Sequence, residues 1–197
     1  MSLSAAATDL QRLLHFNHQV LAQAQALLVA HEDASATAYD GPVGAHLRHV
    51  IEFYEALLLA PQPDRIDYDS RPRDRELERR PDLASRRLFA LRARLAAAGP
   101  AGDAPLRIRG QGGIAGDFNF DVASTFGREL VFVASHAVHH FALLLPYCRQ
   151  HGIAIDATFG KAPATVAFER HAEGIASPTA VCAAASIQCS KEAECLP

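Results

Sequence analysis

Lysine is nearly absent from the 197 residues: Lys161 and Lys191 are the only two, and arginine carries almost all the positive charge. The net charge is −3, which gives no electrostatic reason to expect nucleic acid as a partner. With so much alanine, the arginine bias follows genome composition rather than a function. No stretch of 18 apolar residues is free of charge or histidine, so no membrane span is expected. The first seven residues lack the basic start and apolar block of a secretory signal. Cys148, Cys182, Cys189 and Cys195 have no tight spacing, so they make neither a disulfide scaffold nor a compact zinc site. A cytoplasmic protein is expected by elimination.

Several catalytic signatures are missing as well. There is no Gly-x-Ser-x-Gly elbow, which leaves a serine hydrolase unsupported. Ala137 stands where a His-Glu-x-x-His protease helix would carry its general base. Gly110-Gln111-Gly112-Gly113 is followed neither by Gly-Lys-Ser/Thr nor directly by a helix, so it is no phosphate loop. No internal repeat is present.

Forty-nine per cent hydrophobic residues suffice for a substantial core, most simply in one domain. Apolar periodicity predicts a first helix from about Asp9 to Ala30 with Thr8 as N-cap; its stripe is Leu10, Leu13, Leu14, Val20, Leu21, Ala24, Leu27 and Leu28. Asn17 falls on that stripe and needs a buried partner. His15 and His18 lie beside it and read as surface or boundary residues. A second helix starts at Pro42 and runs to about Ala60, with Pro61 and Pro63 as its stop. The charged segment Asp64 to Arg80 reads as a solvated connection, with Tyr68 or Arg71 able to fold over the bundle mouth and bind an anionic group.

A third helix opens at Pro81-Asp82 with Leu88, Leu91, Leu95 and Ala98 inward, its arginines mostly outward, and Gly99-Pro100 as its stop. Leu106–Arg109 and Phe118–Val122 alternate at period two and predict a small β-hairpin between the third and fourth helices. The fourth helix spans about Phe126 to Gln150, with Cys148 as a small core residue and Gly152 as the stop. A short helix through Glu169 follows. The expected domain is 1–173, with a loosely ordered cysteine-containing tail over 174–197.

Histidine placement carries the chemistry. His136 and His140 stand one turn apart on a single face of the fourth helix, the spacing with which two imidazoles grip one ion. His46 and His49 form a second pair, and Val50, Phe53 and Leu57 share their face, so at least one of them points inward. The favoured trio is His49, His136 and His140, from two helices, making an open site for one divalent zinc, nickel or iron(II). His46 can line the pocket or replace His49. His139 lies about 60° from His136 and about 100° from His140 around the helix, which makes it the weakest ligand. At this point a second reading stands beside the first: core and boundary histidines hydrogen-bonded to one another or to water.

His46-Leu47-Arg48-His49-Val50-Ile51-Glu52-Phe53 and Ser135-His136-Ala137-Val138-His139-His140, together with Tyr68–Asp74 and Phe159–Thr165, resemble the DinB/YfiT-like superfamily of metalloenzymes. The resemblance spans most of the chain up to about Phe168 and leaves the cysteine tail outside. It implies an all-α fold, a four-helix bundle of up-down-down-up topology, and a homodimer. It also implies a metal held by one histidine of the second helix and an i, i+4 pair of a later one. Carried onto this chain, those ligands are His49, His136 and His140. Some members are transferases or isomerases that use a low-molecular-weight thiol.

The expected activity is therefore metal-dependent S-transfer or hydrolysis on a small-molecule substrate, the ion activating a thiol or water. Arg48, Tyr68 or Arg71 would position an anionic group, and His46, His139 and Tyr68 are the candidate catalytic residues. A non-catalytic metal- or ligand-binding bundle, such as a stress-related sensor, is the alternative from another class. A structural dimer with packing histidines is a third.

Overall fold

The computed structural model describes residues 8–34, 38–39, 41–98 and 104–174. Asp40, the Gly99-Pro100 stop and the tail cysteines Cys182, Cys189 and Cys195 lie outside the described residues. By its internal contacts the chain divides after Gly160 into two compact units.

The first unit begins with α1 (Asp9–Ala34). Thr8 and Gln11 start it reciprocally: Gln11 N–H donates to Thr8 Oγ1 at 3.2 Å, and Thr8 N–H donates to Gln11 Oε1 at 2.8 Å. The helix runs one turn past Ala30, and that turn buries His31. Helix α2 (Pro42–Leu58) starts with proline in its first turn, where the missing N–H costs nothing. Leu14, Val20, Leu21, Ala24, Leu27 and Leu28 of α1 and Val43, Leu47, Val50, Ile51, Tyr54 and Leu57 of α2 enter one core. Asn17 has the partners its place on the stripe requires: Tyr54 Oη donates to Asn17 Oδ1 at 2.8 Å, and Asn17 Nδ2 donates to Leu13 O at 2.8 Å.

The segment after α2 corrects the expectation of a solvated connection. It forms strand β1 (Arg65–Asp67) and helix α3 (Arg75–Arg79), which Asp74 caps by accepting from Glu76 N–H at 3.0 Å. Ile66, Tyr68 and Leu77 are the reason: three apolar side chains spaced through the charges are all buried. Next come α4 (Pro81–Ala97), β2 (Pro105–Gly112), β3 (Phe118–Thr125) and α5 (Phe126–Gln150). Strands β2 and β3 are the expected hairpin, antiparallel with Ile108 opposite Val122. The fold is mainly helical, in keeping with the expected helical class, and β1 adds a third strand to the expected hairpin, parallel to β2 with Ile66 opposite Ile108.

Helix α1 lies against α4 and α5, and α2 lies against the same two. Leu88, Leu91 and Leu95 are the buried face of α4. Two of its arginines are tethers: Arg87 reaches Glu55 and Asp74, and Arg92 donates to Gln25 Oε1 at 2.9 Å. By length and hydropathy α5 alone among the described helices meets the measure of a membrane span. Its packing on α1 and α2 and its buried Glu129 are those of a core helix. Glycine at 152, with φ +65°, ends α5 as the spacing predicts. Cys148 is fully buried in the core.

The second unit contains α6 (Pro163–Ala172), which continues past the expected end at Glu169. Lys161 Nζ pairs with Glu169 Oε2 at 2.7 Å within it.

Candidate metal centre

His49, His136 and His140 come together in the first unit, each offering one ligand atom, and those atoms lie within 4.8 Å of one another. Two adjacent helices bring this about. His136 and His140 are one turn apart on α5, and His49 of α2 faces both, with ring centroids 5.0 Å from His136 and 4.4 Å from His140. His49 Nε2 and His136 Nε2 are 2.8 Å apart. Phe53 and Phe132 form an aromatic wall, Phe53 at 4.2 Å and Phe132 at 5.8 Å from the His136 ring.

All three rings are half-buried and held neutral. Burial pushes His49 down to about 3, helped by the neighbouring His140, Arg71, His136 and Arg48. Burial pushes His140 down to about 4, helped by His136, His46, His139 and Arg71. His136 is lowered by burial and by His139 and Arg71. A neutral imidazole keeps a lone pair for an ion, and three of them without a carboxylate suit zinc, nickel or iron(II). The donor set therefore fits a divalent metal of that kind.

The remaining candidates distribute around this group. His46 is at its edge, with Nδ1 2.7 Å from Nδ1 of His140. His139 is exposed, its ring edge-on to His140 at 5.7 Å. Arg71 reaches the histidines: Nη1 lies 3.1 Å from His49 Nδ1, and its guanidinium sits 4.2 Å over the Phe53 ring. Arg73, two residues on, adopts φ 53°, in the left-handed region that non-glycine residues seldom enter. Tyr68 stacks on Phe53 at 5.1 Å but points its hydroxyl away, donating to Glu129 Oε2 at 2.8 Å. Burial and the Glu129 charge raise the Tyr68 phenol well above its ordinary value. Arg48 is paired with Glu78 of α3. His15 is exposed and His18 half-buried, in a groove formed with Leu14 and Leu95.

Two carboxylates were not singled out by spacing. Glu52 is 1% exposed, one turn from His49; its Oε1 accepts from Asp74 N–H at 2.7 Å and its Oε2 lies 3.9 Å from Arg71 Nη1. Glu129 is equally buried and also accepts from Ser124 Oγ at 2.6 Å and Arg128 Nη1 at 3.0 Å. The available signal was a carboxylate recurring on an apolar helix face, which demands a partner.

A mainly helical protein with a convergent three-histidine group is what fold and site define. No family model matches the chain, and no solved structure is significantly similar to it. Among characterised proteins it is similar to FK506-binding protein 5 of Rhizopus delemar, 33% identical over 64 residues. That segment covers 32% of this chain and 17% of the fungal protein, too little to assign a family.

Proposed function

We propose that this protein is a metal-dependent enzyme of the DinB/YfiT-like type, with a four-helix bundle of α1, α2, α4 and α5 as its scaffold. The observation that carries the reading is the convergence of three neutral imidazoles from α2 and α5. His49, His136 and His140 would hold one divalent ion, zinc or nickel before iron. Such an ion supplies Lewis acidity and lowers the pKa of a bound thiol or water. Phe53 and Phe132 give one side of the group an apolar aromatic wall. Arg71 provides the nearest fixed positive charge and suits an anionic substrate group. His46, beside His140, is the closest side chain able to move a proton. The substrate class is a small electrophile attacked by a low-molecular-weight thiol or by water, and the working form is a homodimer.

Elemental analysis of purified, untagged protein tests the reading. About one zinc, nickel or iron per chain is expected, and its loss in His49→Ala. Stoichiometric metal retained in that variant refutes the ligand set.

A non-catalytic metal-binding bundle is the second reading. It is favoured by the engagement of the nearby acid–base groups: the Tyr68 hydroxyl is donated to Glu129, and Glu52 holds Asp74 and faces Arg71. Turnover of a thiol and an electrophile by metal-loaded protein, lost in His140→Ala, decides for the enzyme.

A further inference from the structure

A histidine holds a metal only through a nitrogen that carries no proton, and a neutral ring has one such nitrogen. The other nitrogen then bears the proton and is normally met by an acceptor. His140 satisfies this demand, because Nδ1 of His46, 2.7 Å from its own Nδ1, can accept and Nε2 of His140 is left bare.

His49 does not satisfy it. Its Nδ1 lies 3.1 Å from Nη1 of Arg71, and a guanidinium has donors only. Nδ1 of His49 is thus the accepting nitrogen, and the ring proton is on Nε2. That proton points at Nε2 of His136, 2.8 Å away, an ordinary hydrogen-bond separation. Within the three-histidine group, a proton occupies the lone-pair direction that His49 needs for a metal.

We propose that Arg71 is a latch on the three-histidine group. With its guanidinium on His49 Nδ1, the ring is held in a tautomer that cannot ligate through Nε2, and a divalent ion is held by all three rings only once Arg71 leaves that nitrogen. The inference rests on the metal reading above. The step is balanced: His49 loses a proton from Nε2, takes one up at Nδ1, and stays neutral.

Glu52 is the destination for the guanidinium. Its Oε2 is buried without a hydrogen-bond partner and lies 3.9 Å from Arg71 Nη1. A movement of about 1 Å turns this ion pair into a charge-assisted hydrogen bond. Arg71 is otherwise tethered, with Nε donating to Tyr68 O at 2.5 Å, so the latch swings about a fixed arm.

The test uses cobalt(II) as the probe, read by its visible absorption, on the metal-free full chain. Arg71→Met removes the donors at similar size and is expected to bind cobalt about tenfold tighter than the unaltered protein or better. Arg71→Lys keeps donors and charge and should stay close to the unaltered protein. Glu52→Gln removes the destination charge and should weaken binding. Ring-nitrogen NMR of the unaltered chain separates the tautomer from plain charge repulsion. Metal-free His49 should carry its proton on Nε2, and the zinc-loaded protein should carry it on Nδ1.

Metal-free His49 already protonated on Nδ1 overturns the latch even if no variant folds. Cobalt bound by the unaltered chain and no tighter by Arg71→Met also overturns it. Cobalt bound only by Arg71→Met supports it. Cobalt bound by neither overturns the latch and the metal reading together.

Discussion

Nδ1 of His46 and Nδ1 of His140 lie 2.7 Å apart, joining the first histidine of α2 to the last histidine of α5. One ring donates and the other accepts, so the tautomers and orientations of His46 and His140 are coupled. His46→Ala should weaken zinc binding about 10–100-fold at unchanged stoichiometry. His46→Gln, which keeps an acceptor, should recover part of the loss. Competition against a chromogenic chelator measures both, and an unchanged affinity in His46→Ala would place His46 outside the metal's support.

The depressed histidines make the metal-free protein acid-sensitive. An unfolded histidine has its ordinary value of 6.5, whereas folded His140 and His49 sit at about 4 and about 3. Between those values the unfolded chain binds more protons, so stability rises with pH through this window. It is complete above about 6.5 and is lost as pH falls toward 4 and then 3. Urea midpoints of the chelator-treated chain should fall across this range, and more gently in His49→Ala. Equal slopes in the two proteins would contradict the assignment.

Tyr68 separates a structural role from a catalytic one. Its hydroxyl donates to buried Glu129, away from the histidines. Tyr68→Phe should cost about 1.5–3 kcal/mol, the range for a hydrogen bond to a charged group. Zinc affinity should be unchanged. A large loss of turnover without loss of stability would instead place the hydroxyl in the chemistry.

Gly44 lets α3 approach α2. A Cβ built there would stand 2.2 Å from Glu78 O and 2.5 Å from Tyr39 O, both backbone atoms that cannot swing aside. Gly44→Ala should destabilise by about 1–3 kcal/mol or more through overpacking. Thermal unfolding reads this directly, and a neutral substitution would show that α3 is loosely seated.

Most of the helical fold and the three-histidine group were legible because their signals are local. The 3.6-residue period aligns His136 with His140 whatever surrounds them, and it marks the faces of α1, α2 and α4. Thr8, Pro42 and Gly152 act within one turn of their own backbone, and the alternation of Leu106–Arg109 with Phe118–Val122 announces a hairpin because its strands are neighbours in sequence. The sequence alone also set the demand that Asn17 find a buried partner.

What tertiary structure alone decided joins residues far apart. The parallel pairing of Arg65–Asp67 with Arg107–Arg109 spans two intervening helices. No local period reports it, so a charged stretch read as solvent-exposed became a strand and a helix. The same crossing places Arg71 on His49 and Tyr68 on Glu129. Ring nitrogens take their protons from whatever donor or acceptor the fold puts beside them. The spacing of histidines thus named the group, and only packing determined which neighbour each ring nitrogen meets.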